Sequence, residues 1–134
     1  NHVKFAIRIY NVNEKGEPGQ LLHDEPIYGI ANKGTSVSKI NLEQLQLQLT
    51  SNDFFVFFEP LFINENHYTE KNYYGNSMSF YYPRLAMAKY DENSMWIGSK
   101  IDGEQKWNIS DSFFEHDNIE KGYYNYQIEV ILTN

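Results

Sequence analysis

The chain contains no cysteine, which excludes disulfides, thiolate metal sites and cysteine nucleophiles without identifying a compartment. It is also short of positive charge. Eleven Lys and Arg against eighteen Asp and Glu give a formal net charge of −7, a field that repels phosphate backbones and anionic lipid surfaces. Nucleic acid is therefore not an expected partner. No apolar run approaches the roughly 20 residues that cross a bilayer as a helix. The start, Asn1-His2-Val3-Lys4, has neither the basic nor the apolar region of a signal peptide. Alanine is scarce, which disfavours a helical fold.

Catalytic signatures are lacking as well. None of the four histidines, His2, His23, His67 and His116, has a second His at the three-to-five spacing of zinc and metalloprotease motifs. In His23-Asp24 and His116-Asp117 the neighbours point to opposite faces of a strand, and no Gly-x-Ser-x-Gly elbow supplies a nucleophile. No catalytic residue and no metal ligand is assigned. Acidic groups gather in turn-rich stretches at Glu14 and Glu17, at Asp91-Glu92, and at Asp111, Glu115 and Asp117, where carboxylates and carbonyls can hold calcium. Asn11 to Gly16 imitates the start of an EF-hand loop, but Leu22 stands where the closing Glu belongs, so the stretch reads as a turn. No cofactor is required, and structural calcium is the one left open.

What the chain has in abundance is aromatic residues, 16% of the total, with eleven Tyr and nine Phe. The run Phe54-Phe55-Val56-Phe57-Phe58 cannot face water. Strand side chains alternate, so Phe55 and Phe57 point one way and Phe54, Val56 and Phe58 the other, which predicts a central strand between two apolar layers. Val3, Phe5, Ile7 and Ile9 alternate with Lys4, Ala6, Arg8 and Tyr10 from nearly the first residue. That abrupt start leads us to expect a piece of something longer. Gly16 and Gly19 can take positive φ and Pro18 fixes its own, so the chain reverses here, with Leu21 and Leu22 anchoring the exit of the loop. Pro26 to Ala31 and Ser36 to Leu42 read as strands, with Val37, Ile40 and Leu42 buried and a tight turn at Asn32-Lys33-Gly34.

The stretch Glu43 to Leu49 fits a helical face and a strand equally; an extended connection with one helical turn at Leu42 to Leu45 is the reading adopted. Asn64 to Ser77 reads as a long exposed loop. Met78 to Tyr82, Leu85 to Tyr90 and Met95 to Ser99 look extended, Asp102-Gly103 predicts a hairpin turn, Asp111 to Gly122 reads as acidic and turn-rich, and Tyr124 to Leu132 as a last strand. About eight strands at this spacing in 134 residues predict a single antiparallel β-sandwich domain, jelly-roll-like.

Within this pattern, Phe5-Ala6-Ile7-Arg8-Ile9-Tyr10, Gly16-Glu17-Pro18-Gly19 with Leu21-Leu22, Ile40-Asn41-Leu42 and Asp53 to Glu59 resemble a β-sandwich module of bacterial cell-envelope proteins. That module often stands behind a carboxypeptidase-regulatory-like domain. Tyr82-Pro83-Arg84-Leu85, Ser94-Met95-Trp96-Ile97 and Trp107 match its later half more loosely, so the resemblance spans about Lys4 to Leu132. The chain departs from it in Phe58 and Pro60 around Glu59 and in the polar Asn64 to Ser77 stretch. The module starts earlier, with strands missing here. The resemblance implies a non-catalytic accessory domain, exported to the periplasm or cell surface.

The best binding candidates are aromatic. Tyr68, Tyr73, Tyr74, Tyr82 and Trp96 stand beside Asn, Asp and Arg, a composition suited to stacking on sugar faces while amides reach hydroxyls. The same Tyr residues also suit packing at core edges or contact with a partner protein. The expected function is thus an accessory binding or spacer module for glycan or a protein partner. The competing class is a small glycan-active hydrolase, which needs two carboxylates flanking a cleft.

Overall fold

A computed structural model describes residues 2–32, 37–49, 51, 53–90, 95–109, 113–116, 119–126 and 128. Within these, eleven strands form, rather than about eight: β1 (His2–Val12), β2 (Pro18–Leu21), β3 (Ile27–Asn32), β4 (Phe54–Pro60), β5 (His67–Lys71), β6 (Ser77–Tyr81), β7 (Met87–Tyr90), β8 (Trp96–Ile101), β9 (Glu104–Ile109), β10 (Phe113–His116) and β11 (Ile119–Tyr126). Every pairing among them is antiparallel, and the fold is of the all-β sandwich class that the strand spacing predicts. Among the described residues no helix is long and apolar enough to cross a membrane.

The chain forms two compact units, 1–84 and 85–134. In the first, β1 is the centre of a four-stranded sheet. One edge of β1 pairs with β3 over His2 to Ile7 and with β2 over Tyr10 to Val12, and the other pairs with β4 from Phe5 to Asn11. The sheet is thus centred on β1 and not on the Phe-rich strand. The alternation read for β4 is observed: Phe58 lies against Phe5, with ring centroids 5.5 Å apart, and Phe57 stands edge-on to Tyr10 at 5.4 Å on the opposite face. Both faces of β1 are covered accordingly. Val3, Phe5 and Ile9 are buried on one, Ala6 and Tyr10 on the other. On that second face Arg8 Nε donates to Glu59 Oε2 across the β1–β4 ladder at 2.7 Å.

Connections depart more from expectation. Residues 37–42 are not a strand, and Val37 is 64% exposed; Ile40 and Leu42 are half-buried, Ile40 at Gly29 beside Phe5. The turn read at Lys33-Gly34 lies outside the described residues. Glu43–Leu45 is a single 3-10 turn, as expected, with Asn41 Oδ1 accepting the Glu43 N–H at 2.9 Å. Pro18–Leu21 pairs as β2 where the sequence reads as a loop exit. Gly16 has the anticipated positive φ of 79°. Gly19 serves a different purpose: a Cβ there would collide with Asn11 Oδ1, which accepts the Gln20 N–H.

In the second unit β11 pairs with β10 on one side and β7 on the other, and β8 and β9 form a separate hairpin. Asp102 and Gly103, with φ of 52° and 85°, make the two-residue turn expected there. The acidic stretch from Asp111 contains β10 and the start of β11. The strand read to Leu132 is described as far as Tyr126.

Candidate functional site: the β5–β6 hairpin

The polar stretch read as an exposed loop, Asn64 to Ser77, is instead a 3-10 turn at Asn64–Asn66 followed by β5, the whole turn after it and the first residue of β6. Polar residues can form such a hairpin because its connection and its root are both held by asparagine. Antiparallel β4 ends at Pro60, opposite Phe5. The next main-chain groups on that edge of β1 belong to Lys4. Asn66, 0% exposed, supplies their partners: its Oδ1 accepts the Lys4 N–H at 2.8 Å, and its Nδ2 donates to Lys4 O at 2.6 Å and to Leu61 O at 2.9 Å. One side chain thus takes the place of a strand residue and ties the root of the hairpin to β1.

The tip is built from the sequence Asn72-Tyr73-Tyr74-Gly75-Asn76. Asn72 donates its N–H to Asn76 O and accepts the Gly75 N–H on its own carbonyl, both at 2.9 Å. Its Oδ1 accepts from Tyr74 N at 3.0 Å and Asn76 N at 2.9 Å. Gly75 completes the turn at φ 78°, the left-handed bulge position of a three-residue hairpin loop. The first hairpin repeats the arrangement. Asn13 makes the same four bonds within Asn13-Glu14-Lys15-Gly16-Glu17, at 2.9 to 3.0 Å. That explains the EF-hand imitation: the Asn13 side-chain oxygen is already engaged by backbone N–H groups.

Tyr73 and Tyr74 occupy the two central turn positions and are 98% and 84% exposed. Their rings meet edge to face with centroids 5.6 Å apart. The strand register places Tyr68 opposite Phe80 and Glu70 opposite Met78, so these share one face. Tyr82 joins it, edge-on to Tyr68 at 5.1 Å, with its hydroxyl 3.3 Å from Glu70 Oε1. The Arg84 guanidinium carbon lies 4.4 Å from the Phe80 ring centre and 5.4 Å from that of Tyr82. On the opposite face Tyr81 contacts His67 and the 73% exposed Phe62.

Of the five residues named from sequence, four therefore lie on this hairpin, as two ring pairs: Tyr73 with Tyr74 at the tip, Tyr68 with Tyr82 on one face. Trp96 lies on β8, in the other unit. Arg84 and Phe80 were not singled out, although Phe80, Tyr82 and Arg84 stand at alternate positions, the spacing that shares a face in extended chain. Asn66 had no comparable signal, because its partner Lys4 is 62 residues away.

Other candidates remain dispersed. Among the described residues no three His, Asp or Glu side chains are grouped to hold a metal ion. Asp91-Glu92, Asp111 and Asp117 lie outside the described residues. Leu22 to Glu25 line a shallow depression of about 420 Å³ that is open to solvent, and His23 Nδ1 there is 2.8 Å from Glu25 O. No family model matches the chain, and neither does any curated protein or solved structure.

Proposed function

We propose that this chain is a non-catalytic accessory module of an exported bacterial cell-envelope protein, periplasmic or at the cell surface, that binds glycan through the β5–β6 hairpin. The observation that carries the reading is the Tyr73-Tyr74 pair, exposed on a turn whose backbone is closed by four hydrogen bonds to one asparagine. Large rings left in water on a braced turn suit a contact whose ordering cost is already met. A tyrosine ring stacks on the apolar face of a sugar while its hydroxyl and nearby amides reach the sugar hydroxyls. A protein partner generally covers on the order of 800 Å², a broader surface than two turn residues offer, so glycan is preferred. The resemblance of β1, β4 and their turns to the envelope module supports the setting. We assign the chain no reaction.

A glycan-array screen of the chain tests this. Tyr73→Ala and Tyr74→Ala should each weaken binding by roughly three- to tenfold, the range for loss of an aromatic contact. Binding undiminished by either substitution would remove the tip from the site. Failure to retain any glycan would remove the reading itself.

A further inference from the structure

We infer that the hairpin face bearing Arg84 recognises the carboxylate of an acidic sugar, so that the ligand class is uronate-containing glycan; this rests on the glycan-binding reading above. The argument begins with charge. In a chain with eighteen acidic and eleven basic residues, a guanidinium has ample choice of carboxylate partner, and Arg8 takes one in Glu59. Arg84 does not. It is solvent-exposed and is held over Phe80 at 4.4 Å and Tyr82 at 5.4 Å, with no ion pair among the described residues. The carboxylate on the same face, Glu70, lies at the Tyr82 hydroxyl, 3.3 Å away.

Stacking on two rings restricts the guanidinium while leaving its N–H edge able to make the paired hydrogen bonds that fit a carboxylate. The cost of ordering a long side chain on ligand binding is thereby reduced. Tyr68, edge-on to Tyr82, supplies an adjacent ring for the sugar body. A single guanidinium balances a single negative charge, which favours a carboxylate over a doubly charged phosphate. The net charge of −7 opposes any anionic ligand at long range, but that field is largely screened beyond about 8 Å at physiological ionic strength, whereas the direct contact with Arg84 is not.

The test is calorimetric titration of the full chain with uronate oligosaccharides of three kinds (galacturonate, glucuronate and mannuronate), each beside its carboxyl-reduced neutral counterpart. At least one acidic form should bind roughly ten- to a hundredfold more tightly than its neutral partner, the range for hydrogen bonds to a charged group. Arg84→Gln should abolish that difference, and Arg84→Lys, which keeps the charge but not the fork, should retain only part of it. Tyr74→Ala should weaken acidic and neutral forms alike. Equal binding of acidic and neutral forms, an acid preference that survives Arg84→Gln, or stronger binding of a phosphorylated sugar overturns this inference and leaves the glycan-binding reading standing. Binding of no oligosaccharide of either kind overturns this inference, and the glycan-binding reading falls with it when the array also retains nothing.

Discussion

A polar side chain is buried at little net cost only when each of its donors and acceptors is used, and Asn66 meets that condition by bonding the main-chain groups of β1 that lie just beyond the end of β4. Asn66→Ala strands the Lys4 N–H together with the Lys4 and Leu61 carbonyls, and should lower stability by about 2–4 kcal/mol. Urea denaturation would show this as a lower midpoint at unchanged slope. Asn66→Asp keeps the acceptor for Lys4 but sets a carboxyl oxygen against two carbonyls. Its carboxyl is then held above the ordinary range, so the variant should lose further stability as pH rises through that group's folded pKa. Tyr10 obeys the same sign: burial raises its phenol above the usual 10.0. The stability linked to its neutral form is therefore complete below that value and is lost as pH rises through the folded pKa. The alkaline decline in melting temperature should be shallower in Tyr10→Phe than in the parent chain.

Among the elements, the two five-residue connections allow a controlled comparison. Gly16 and Gly75 have φ of 79° and 78°, and a Cβ at either would meet nothing within 4 Å. Gly16→Ala and Gly75→Ala should therefore each cost only the backbone penalty, about 1–2 kcal/mol, and the two melting shifts should match; a marked difference would mean that something besides φ is at stake. These elements were unevenly legible in the sequence. β1, β4 and the Asp102-Gly103 turn were legible because apolar alternation and φ-demanding residues are local signals. Of the β5–β6 hairpin, β6 was legible as the extended piece from Met78 to Tyr82 but β5 was not, since His67 to Lys71 carries no apolar alternation and is held through its pairing with β6 and through Asn66. Residues 37–42 failed in the opposite direction: Val37 and Ile40 suggest a strand, yet one is exposed and the other packs from irregular chain.

At the scale of the molecule, the order in which parts open should follow the pairing pattern. β1 is paired along both edges, whereas β5–β6 and β8–β9 are two-stranded, a form of marginal independent stability. Hydrogen exchange should find the amides of Phe5 to Ile9 slowest, with the two hairpins exchanging earlier; equal protection throughout would contradict this ranking. The centre of the sheet also joins distant chain, Arg8 and Glu59 being 51 positions apart, a kind of pairing that alternation reveals strand by strand but never partner by partner. The candidate site was half visible for the same reason: its tyrosines stand out in the sequence, while the cation laid over them becomes a feature only once the face is formed. The twin Asn-x-x-Gly connections carry a last consequence. One scaffold holds Glu14-Lys15 at its summit and Tyr73-Tyr74 at the other, so the summit residues are cargo and the asparagine and glycine are the mount. Evolution can rewrite what such a hairpin offers without renegotiating how it folds, and an experimenter can do the same by moving Glu14-Lys15 onto positions 73 and 74.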